Sequence, residues 1–305
     1  MTTSYITGIG GCIGSAIFNQ LQNLGVMARG CDLRPHSHSR QLDILNTEAL
    51  AIDMEGCATV FHCAAMLGVE HTENFPERCA AYNIEGTQSV IEAAKRAGVE
   101  HFVMLSSSEV YGKQEPKSDG LSETDRLLGS NVYAKSKIRN ELDVLAIDCM
   151  RTTVLRMFNT FGPRQVRQFV IPRFMYAALF DQPIYLFGAH KHARAYLYSQ
   201  DAAAHILNVI STAPNRSVVN IAGDEPYTLR ELANEIIGIC GSRSEVIVQQ
   251  GSYNDREVSR DIPWRAADLS LLRKYSSHET LPFAVTLELL KSQFGSTYDT
   301  WVFQK

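Results

Sequence analysis

The sequence has no apolar run near the ~20 residues that a membrane-crossing helix needs, so no membrane partner is expected. It has no CxxC pair. Its seven cysteines, Cys12, Cys31, Cys57, Cys63, Cys79, Cys149 and Cys240, are scattered and odd in number. That argues against a disulfide framework and a zinc site, so no metal is expected and reduced thiols in a cytoplasmic protein fit best. Surplus positive charge is missing as well. A formal net charge of -4 over 305 residues leaves no general basic face for nucleic acid. The first residues lack a basic segment followed by an apolar stretch and a cleavage site, so secretion is not expected. There is no repeat and no low-complexity linker, and 45% hydrophobic with 20% charged residues is ordinary for a globular chain.

What is present is alternation. Short apolar runs at 4–7, 26–33, 59–63, 101–106 and 152–157 have strand length. Helical spacing covers 12–24, 76–97 (closed by Gly98) and 131–149 between them. Strands alternating with helices imply a parallel sheet covered on both faces, an α/β, Rossmann-type doubly wound fold. After Pro163 the pattern loosens, with prolines at 172, 183, 214, 226, 263 and 282 and short helices expected near 199–212 and 228–240. The expected division is 1–163 as a dinucleotide-binding part and 164–305 as a smaller, mainly substrate-binding region, with the chain free to return to the first part.

Thr7-Gly8-Ile9-Gly10-Gly11-Cys12-Ile13-Gly14 follows the first strand and opens the first helix. Glycine permits the tight turn and a close backbone approach, and a helix N-terminus offers free N–H groups to a pyrophosphate. That strand–loop–helix context is what the motif requires, whereas a glycine-rich turn without it carries no ligand. Asp32 ends the second strand, where a carboxylate accepts ribose hydroxyls and repels the extra phosphate of NADP. NAD is therefore the expected cofactor, with Arg34 nearby as a counter-signal.

Tyr133 and Lys137 form a YxxxK pair near the start of a helix, so both share one face. The ammonium favours the phenolate, and such a tyrosine can take a proton from a hydroxyl while hydride leaves for a cofactor. A YxxxK alone is usually a solvated helix face; its pairing with the glycine loop makes it specific.

Together these motifs resemble the extended short-chain dehydrogenase/reductase family, in its NAD-dependent epimerase/dehydratase branch, over nearly the whole chain. TGIGGCIG resembles that family's TGxxGxxG. Asp43-Ile44 resembles its adenine-contacting acid, His62-Cys63-Ala64-Ala65 its HxAA segment, and residues 106–112 its serine/threonine motif ending in VYG. Residues 155–163 resemble LRxFNxYGP, and Asn220-Ile221-Ala222-Gly223 its late NIG segment. The resemblance implies cofactor contacts from Gly8, Gly11, Cys12, Ile13, Gly14, Asp32, Asp43, Ile44, Ala64, Ala65, Asn83, Tyr133 and Lys137. It implies Tyr133 as the proton-transfer group, Lys137 as its partner, and Ser107 as the catalytic hydroxyl. Glu109 stands where the dehydratases and decarboxylases of this branch carry an acid, while Ser108 replaces the aspartate of many 4,6-dehydratases.

For a nucleotide-sugar substrate the resemblance implies contacts from Ser107, Ser108, Asn159, Arg194 and Arg256, with Arg260 a competing match for Arg256. The family's GDGxQxR becomes residues 188–194, and the acid after its arginine becomes Ala195. The cluster His190-Lys191-His192 reads as a solvated or phosphate-facing loop. The implied activity is a nucleotide-sugar 4-epimerase, 4,6-dehydratase or decarboxylase acting through a transient keto sugar. Two alternatives are a reductase or dehydrogenase of a non-sugar alcohol and a non-catalytic dinucleotide sensor; the latter commonly lacks the tyrosine or lysine. The family commonly pairs two helices, here about 80–97 and 131–149, across a homodimer.

Overall fold

The computed structural model describes residues 3–36, 38–67, 72, 74–115, 118–187, 192–249 and 264–294. In chain order the first part runs β1 (Thr3–Thr7), α1 (Cys12–Asn23), β2 (Met27–Asp32), β3 (Arg40–Gln41), α2 (Thr47–Asp53), β4 (Cys57–His62) and α3 (Pro76–Arg96). It continues with β5 (His101–Ser107), a single tight turn at Ser108–Tyr111, α4 (Val132–Leu145), β6 (Arg151–Met157) and β7 (Asn159–Phe161). Then follow α5 (Val170–Leu179), β8 (Ile184–Phe187), β9 (Ala193–Tyr198), α6 (Ser199–Thr212) and β10 (Ser217–Ile221). The last elements are β11 (Pro226–Thr228), α7 (Leu229–Cys240), β12 (Val246–Gln249), β13 (Trp264–Arg265), α8 (Ser270–Tyr275) and α9 (Phe283–Phe294).

Seven parallel strands make the main sheet in the order β10-β6-β5-β4-β1-β2-β3. Its strands are apolar on both faces because helices cover both. Ile6, Phe61, Val103, Leu155 and Val219 pack with Ile17, Ile206 and Val209 on one side. Tyr5, Val60, Phe102, Met104 and Val154 pack with Leu50, Val90, Ile91 and Val144 on the other. The chain moves outward from β1 to β3, then returns to β4 and moves the opposite way. The order reverses between β1 and β4, and a crevice at their carboxyl ends is where such sheets bind ligands.

The chain beyond residue 163 does not stay apart from this sheet. The helix α6 lies on α1, and β10 adds the seventh strand beside β6. Helix α8 joins the same core through Leu272, and most of the other elements form a second core around Phe161, Phe174, Tyr196, Leu232 and Leu287. Here β9 pairs with β7, β11 and β13, and β8 pairs with β12. Helix α4 ends at Leu145, short of 149, with Ala146 as its last capping residue. Among the described residues no helix is long and apolar enough to cross a membrane.

One polar cluster crosses the core. Arg156 of β6 meets Glu141 of α4 at 2.8 Å, with side chains only 5% and 2% exposed. Ser106 also donates to Glu141, and Arg156 donates to the Tyr111 hydroxyl at 3.0 Å. Tyr111 in turn donates to Asn220 at 2.6 Å, reaching β10. Removing one partner of such a pair strands a buried charge. Arg156→Ala is expected to cost about 3–5 kcal/mol in urea denaturation of the NAD-loaded protein. A loss below about 1 kcal/mol, the range of exposed pairs, would contradict this reading.

Candidate active site

The glycine loop owes its shape to three close approaches. Gly8 adopts φ +70°, and a Cβ there would lie 2.8 Å from the Ala64 nitrogen. A Cβ on Gly14 would lie 2.2 Å from the Gly8 carbonyl. Gly8 donates to the Cys31 carbonyl at 2.8 Å, which brings the loop against the end of β2. Gly11 is the residue before α1 and has no side chain to cap it, so the first-turn N–H groups face outward without a side-chain acceptor. Cys12 and Ile13 supply two of those groups. Burial pushes the Cys12 thiol up to about 12, so it places no negative charge beside an anion.

Asp32 accepts the Gly10 N–H at 3.0 Å and the Arg34 N–H at 3.1 Å, which orients its carboxylate over the loop. An uncapped helix N-terminus and an acid at the neighbouring strand end fit a nicotinamide dinucleotide. Asp43 accepts from the Tyr82 hydroxyl at 2.6 Å, and Ile44 is buried against Gly86. Asn83 is buried, and both ends of its amide are engaged. It accepts Met66 N–H at 2.8 Å, and it donates to Met66 O at 3.0 Å and Ser136 at 3.3 Å. It thereby shapes the segment carrying Ala64 and Ala65.

His62, the last residue of β4, is held by hydroxyls on both sides. Its Nδ1 meets Thr7 at 2.8 Å and its Nε2 meets Thr87 at 3.0 Å. Thr87 donates to Asn83 O and accepts from Asn140, so the Nε2 proton must belong to the histidine. Burial, with the Lys137 charge nearby, pushes His62 down to about 3, and it stays neutral.

Tyr133 and Lys137 lie on α4, started by Asn131, whose side chain accepts the Ala134 N–H at 2.7 Å. Lys137 is 3% exposed, donates to the Leu105 carbonyl at 2.8 Å and lies 5.9 Å from the Tyr133 ring centre. Burial pushes its ammonium down to about 8, against the pull of Cys63 and Glu141. Burial pushes the Tyr133 hydroxyl above the usual phenol range. A hydrogen bond shared with Ser107 lowers it, and the Glu109 charge raises it further. The phenol is thus protonated until a further positive charge arrives.

Ser107 ends β5 and accepts the Glu109 N–H at 3.2 Å. Ser108 is buried. Glu109 is ion-paired with Arg265 of β13 through one oxygen and accepts from Asn131 at 3.2 Å through the other. Arg265 is buried, and its Nε–H has no hydrogen-bond partner. The small sheet explains its neighbours. Arg265 stands in register with Arg194 on β9, and Asn159 of β7 with Tyr196. Arg194 donates to the Ala193 carbonyl at 2.8 Å. Burial pushes Tyr196 up to about 12 against the charges of Arg194 and Arg173. The structure thus gathers Ser107, Glu109, Tyr133 and Lys137 at one strand end and Asn159 and Arg194 on the facing sheet. Arg256, its competitor Arg260 and the loop at 188–191 lie outside the described residues, so the histidine–lysine cluster retains only His192 among them. Sequence reasoning missed Arg265 and Arg173. No motif surrounds either one, and only their placement beside Glu109 and Tyr196 marks them.

The residues around the crevice define a dinucleotide-dependent enzyme with a tyrosine–lysine pair. A profile of the NAD dependent epimerase/dehydratase family matches residues 4–222, and the chain belongs to that family. It is similar to a UDP-N-acetyl-alpha-D-glucosaminuronate decarboxylase of Bacillus cytotoxicus, 30% identical over 70% of this chain and 69% of that one. It is similar to a dTDP-glucose 4,6-dehydratase of Streptomyces griseus, 30% identical over 68% and 64%. It spans only 43% of a trifunctional plant protein of Arabidopsis thaliana that it also matches. The fold is shared with a UDP-glucose 4-epimerase of Thermotoga maritima, with a TM-score of 0.88 at 22% identity over 97% of this chain and 100% of that one.

Asp32→Asn removes the charge while keeping side-chain size and one of the two acceptor atoms that meet the Gly10 and Arg34 N–H groups. Calorimetry should then show the preference for NAD over NADP narrowing by at least roughly tenfold, about 1.4 kcal/mol. An unchanged ratio would mean that Asp32 does not face the ribose.

Proposed function

We propose that this enzyme acts on a nucleotide-linked sugar through a transient 4-keto intermediate, and that its net reaction is decarboxylation of a hexuronic acid. The observation that carries the finer reading is the Glu109–Arg265 pair, with its buried guanidinium and unpartnered Nε–H. Elimination of water beside a ketone needs a base at carbon and an acid at the leaving oxygen. Ser108 cannot supply that acid, and both Glu109 oxygens are engaged. A 4-keto hexuronate is a β-keto acid and needs neither group. Its C5–C6 bond breaks, carbon dioxide leaves, and the electron pair passes to an enolate at the C4 oxygen. C5 then takes a proton from solvent, so that hydrogen replaces the lost carboxylate. A buried guanidinium suits the sugar carboxylate, since arginine offers planar paired donors. The similarity to a uronate decarboxylase supports the same reading.

In this reading Tyr133 takes the C4 hydroxyl proton and Ser107 bridges its hydroxyl to the same oxygen. The two hydroxyls then hold the enolate oxygen. Lys137 supplies positive charge beneath the phenol and a ribose contact. Asp32 holds the adenosine ribose and the α1 N-terminus the pyrophosphate. Asn159, Arg194 and Arg256 hold the diphosphate of the substrate. Bound NAD supplies the oxidising equivalent at C4 and returns it. The chain acts as a homodimer through α3 and α4, where Leu142 is 61% exposed on the outer face. Seven free cysteines suit a reducing cytoplasm.

A panel of nucleotide hexuronates and nucleotide hexoses, assayed for released carbon dioxide, tests the assignment. Release from a hexuronate supports it, whereas epimerised or dehydrated hexose without carbon dioxide release would overturn it. Glu109→Gln should keep cofactor binding and allow the first oxidation but loosen Arg265 at the sugar carboxylate, so decarboxylation slows and NADH absorbance builds up after mixing. An unchanged time course would remove Glu109 from the mechanism. Tyr133→Phe should lower turnover by ~10²–10⁴-fold while leaving NAD affinity intact, and turnover like the unaltered enzyme would refute its role.

A further inference from the structure

Asn131 faces two ways. Its Oδ1 accepts the Ala134 N–H at 2.7 Å, the ordinary helix cap, while its Nδ2 donates to Glu109 Oε2 at 3.2 Å. The cap alone is served by serine, threonine, aspartate or asparagine. Only asparagine caps with one atom and donates from the other at that spacing.

The segment before α4 already lies against the turn that carries Glu109. Leu128 donates to Tyr111 O at 3.3 Å and Gly129 to Val110 O at 2.9 Å. Gly129 is so close that a Cβ there would fall 2.9 Å from Glu109 O and 2.6 Å from the Ala134 Cβ. The Asn131–Glu109 bond continues these two contacts with a side-chain contact. Glu109 also keeps its ion pair with Arg265 and is 35% exposed at its side chain. The charged or titratable groups facing it include Arg265 from β13 and Tyr133 from α4.

We propose that Asn131 is a positioning residue whose amide fixes the Glu109 carboxylate relative to the helix that carries Tyr133. The helix cap and the orientation of the acid are then one device. Any shift of the α4 N-terminus moves the phenol and the acid together. The proposal rests on the reading that Glu109 holds Arg265 at the sugar carboxylate.

Three variants of the NAD-loaded full chain separate the roles. Asn131→Ser keeps the cap and loses the donor. Asn131→Asp keeps cap and shape but sets a carboxylate against Glu109. Asn131→Ala loses both. The first readout needs no substrate: carbon NMR of the Glu109 carboxyl, assigned by its disappearance in Glu109→Gln. Its titration midpoint should move up by roughly a unit or more in Asn131→Asp and by less in Asn131→Ser. The second readout is kinetic. Asn131→Asp should lose turnover on the order of 10²-fold, with KM and NAD affinity unchanged, and Asn131→Ser should fall between. Only Asn131→Ala should also lower the melting temperature.

An unmoved midpoint in both capped variants overturns the proposal, as does full turnover in both. Activity that follows melting temperature alone across the three variants also overturns it, because the cap would then explain everything. Should the unaltered enzyme turn over no nucleotide sugar, the functional reading fails, and the NMR titration still decides whether Asn131 orients Glu109.

Discussion

Lys137 buries its ammonium against the Leu105 carbonyl at 2.8 Å, and this bond ties the start of α4 to the end of β5. Tyr133 stands one helical turn before the lysine, and Ser107 two residues beyond the carbonyl, so one contact brings phenol and hydroxyl together. Burial opposes the charge and pushes the lysine down to about 8. Glu141 lies one turn further along the same helix face and offsets the ammonium, and Arg156 offsets Glu141. Catalytic face and buried ion pair are electrically continuous along α4. A change in the core pair therefore reaches the lysine without touching the crevice.

The phenol gains too little from this arrangement alone. Its hydroxyl is pushed up by burial and by Glu109, and only the bond to Ser107 draws it down. A positively charged nicotinamide is the missing contribution. On the opposite side of the sugar the balance reverses. Arg265 and Arg194 bring positive charge from the small sheet, where an anionic substrate has to be held.

Much of this was legible in the sequence because backbone constraints leave residue signatures. Gly8 and Gly14 are needed where a Cβ would strike Ala64 and the Gly8 carbonyl, and the first half of the sheet shows in runs of strand length. Tyr133, Lys137, Ser107 and Glu109 were recognisable because short spacings put them on one helix face and one turn. The second half was less legible for a physical reason. Its small sheet is assembled from two- to six-residue strands distant in the chain, and such pairings leave no local period. Arg265 becomes meaningful only when β13 is laid beside β9. Asn131 read only as the first residue of a helical stretch, and its two bonds appear only once the turn at Glu109 is folded against it. The seventh strand, β10, was not read as a strand although the late NIG segment covers its end, because its pairing beside β6 comes only after the chain has passed through α6.

The central claim is that C4 of the sugar is oxidised and then reduced within one binding event. The most direct test is the fate of deuterium placed at C4 of a nucleotide hexuronate. The account predicts that the label returns to C4 of the same product molecule, with none lost to solvent or to added free cofactor. Label appearing in the free cofactor pool, or product carrying hydrogen at C4, would contradict it and make the protein an ordinary exchanging dehydrogenase.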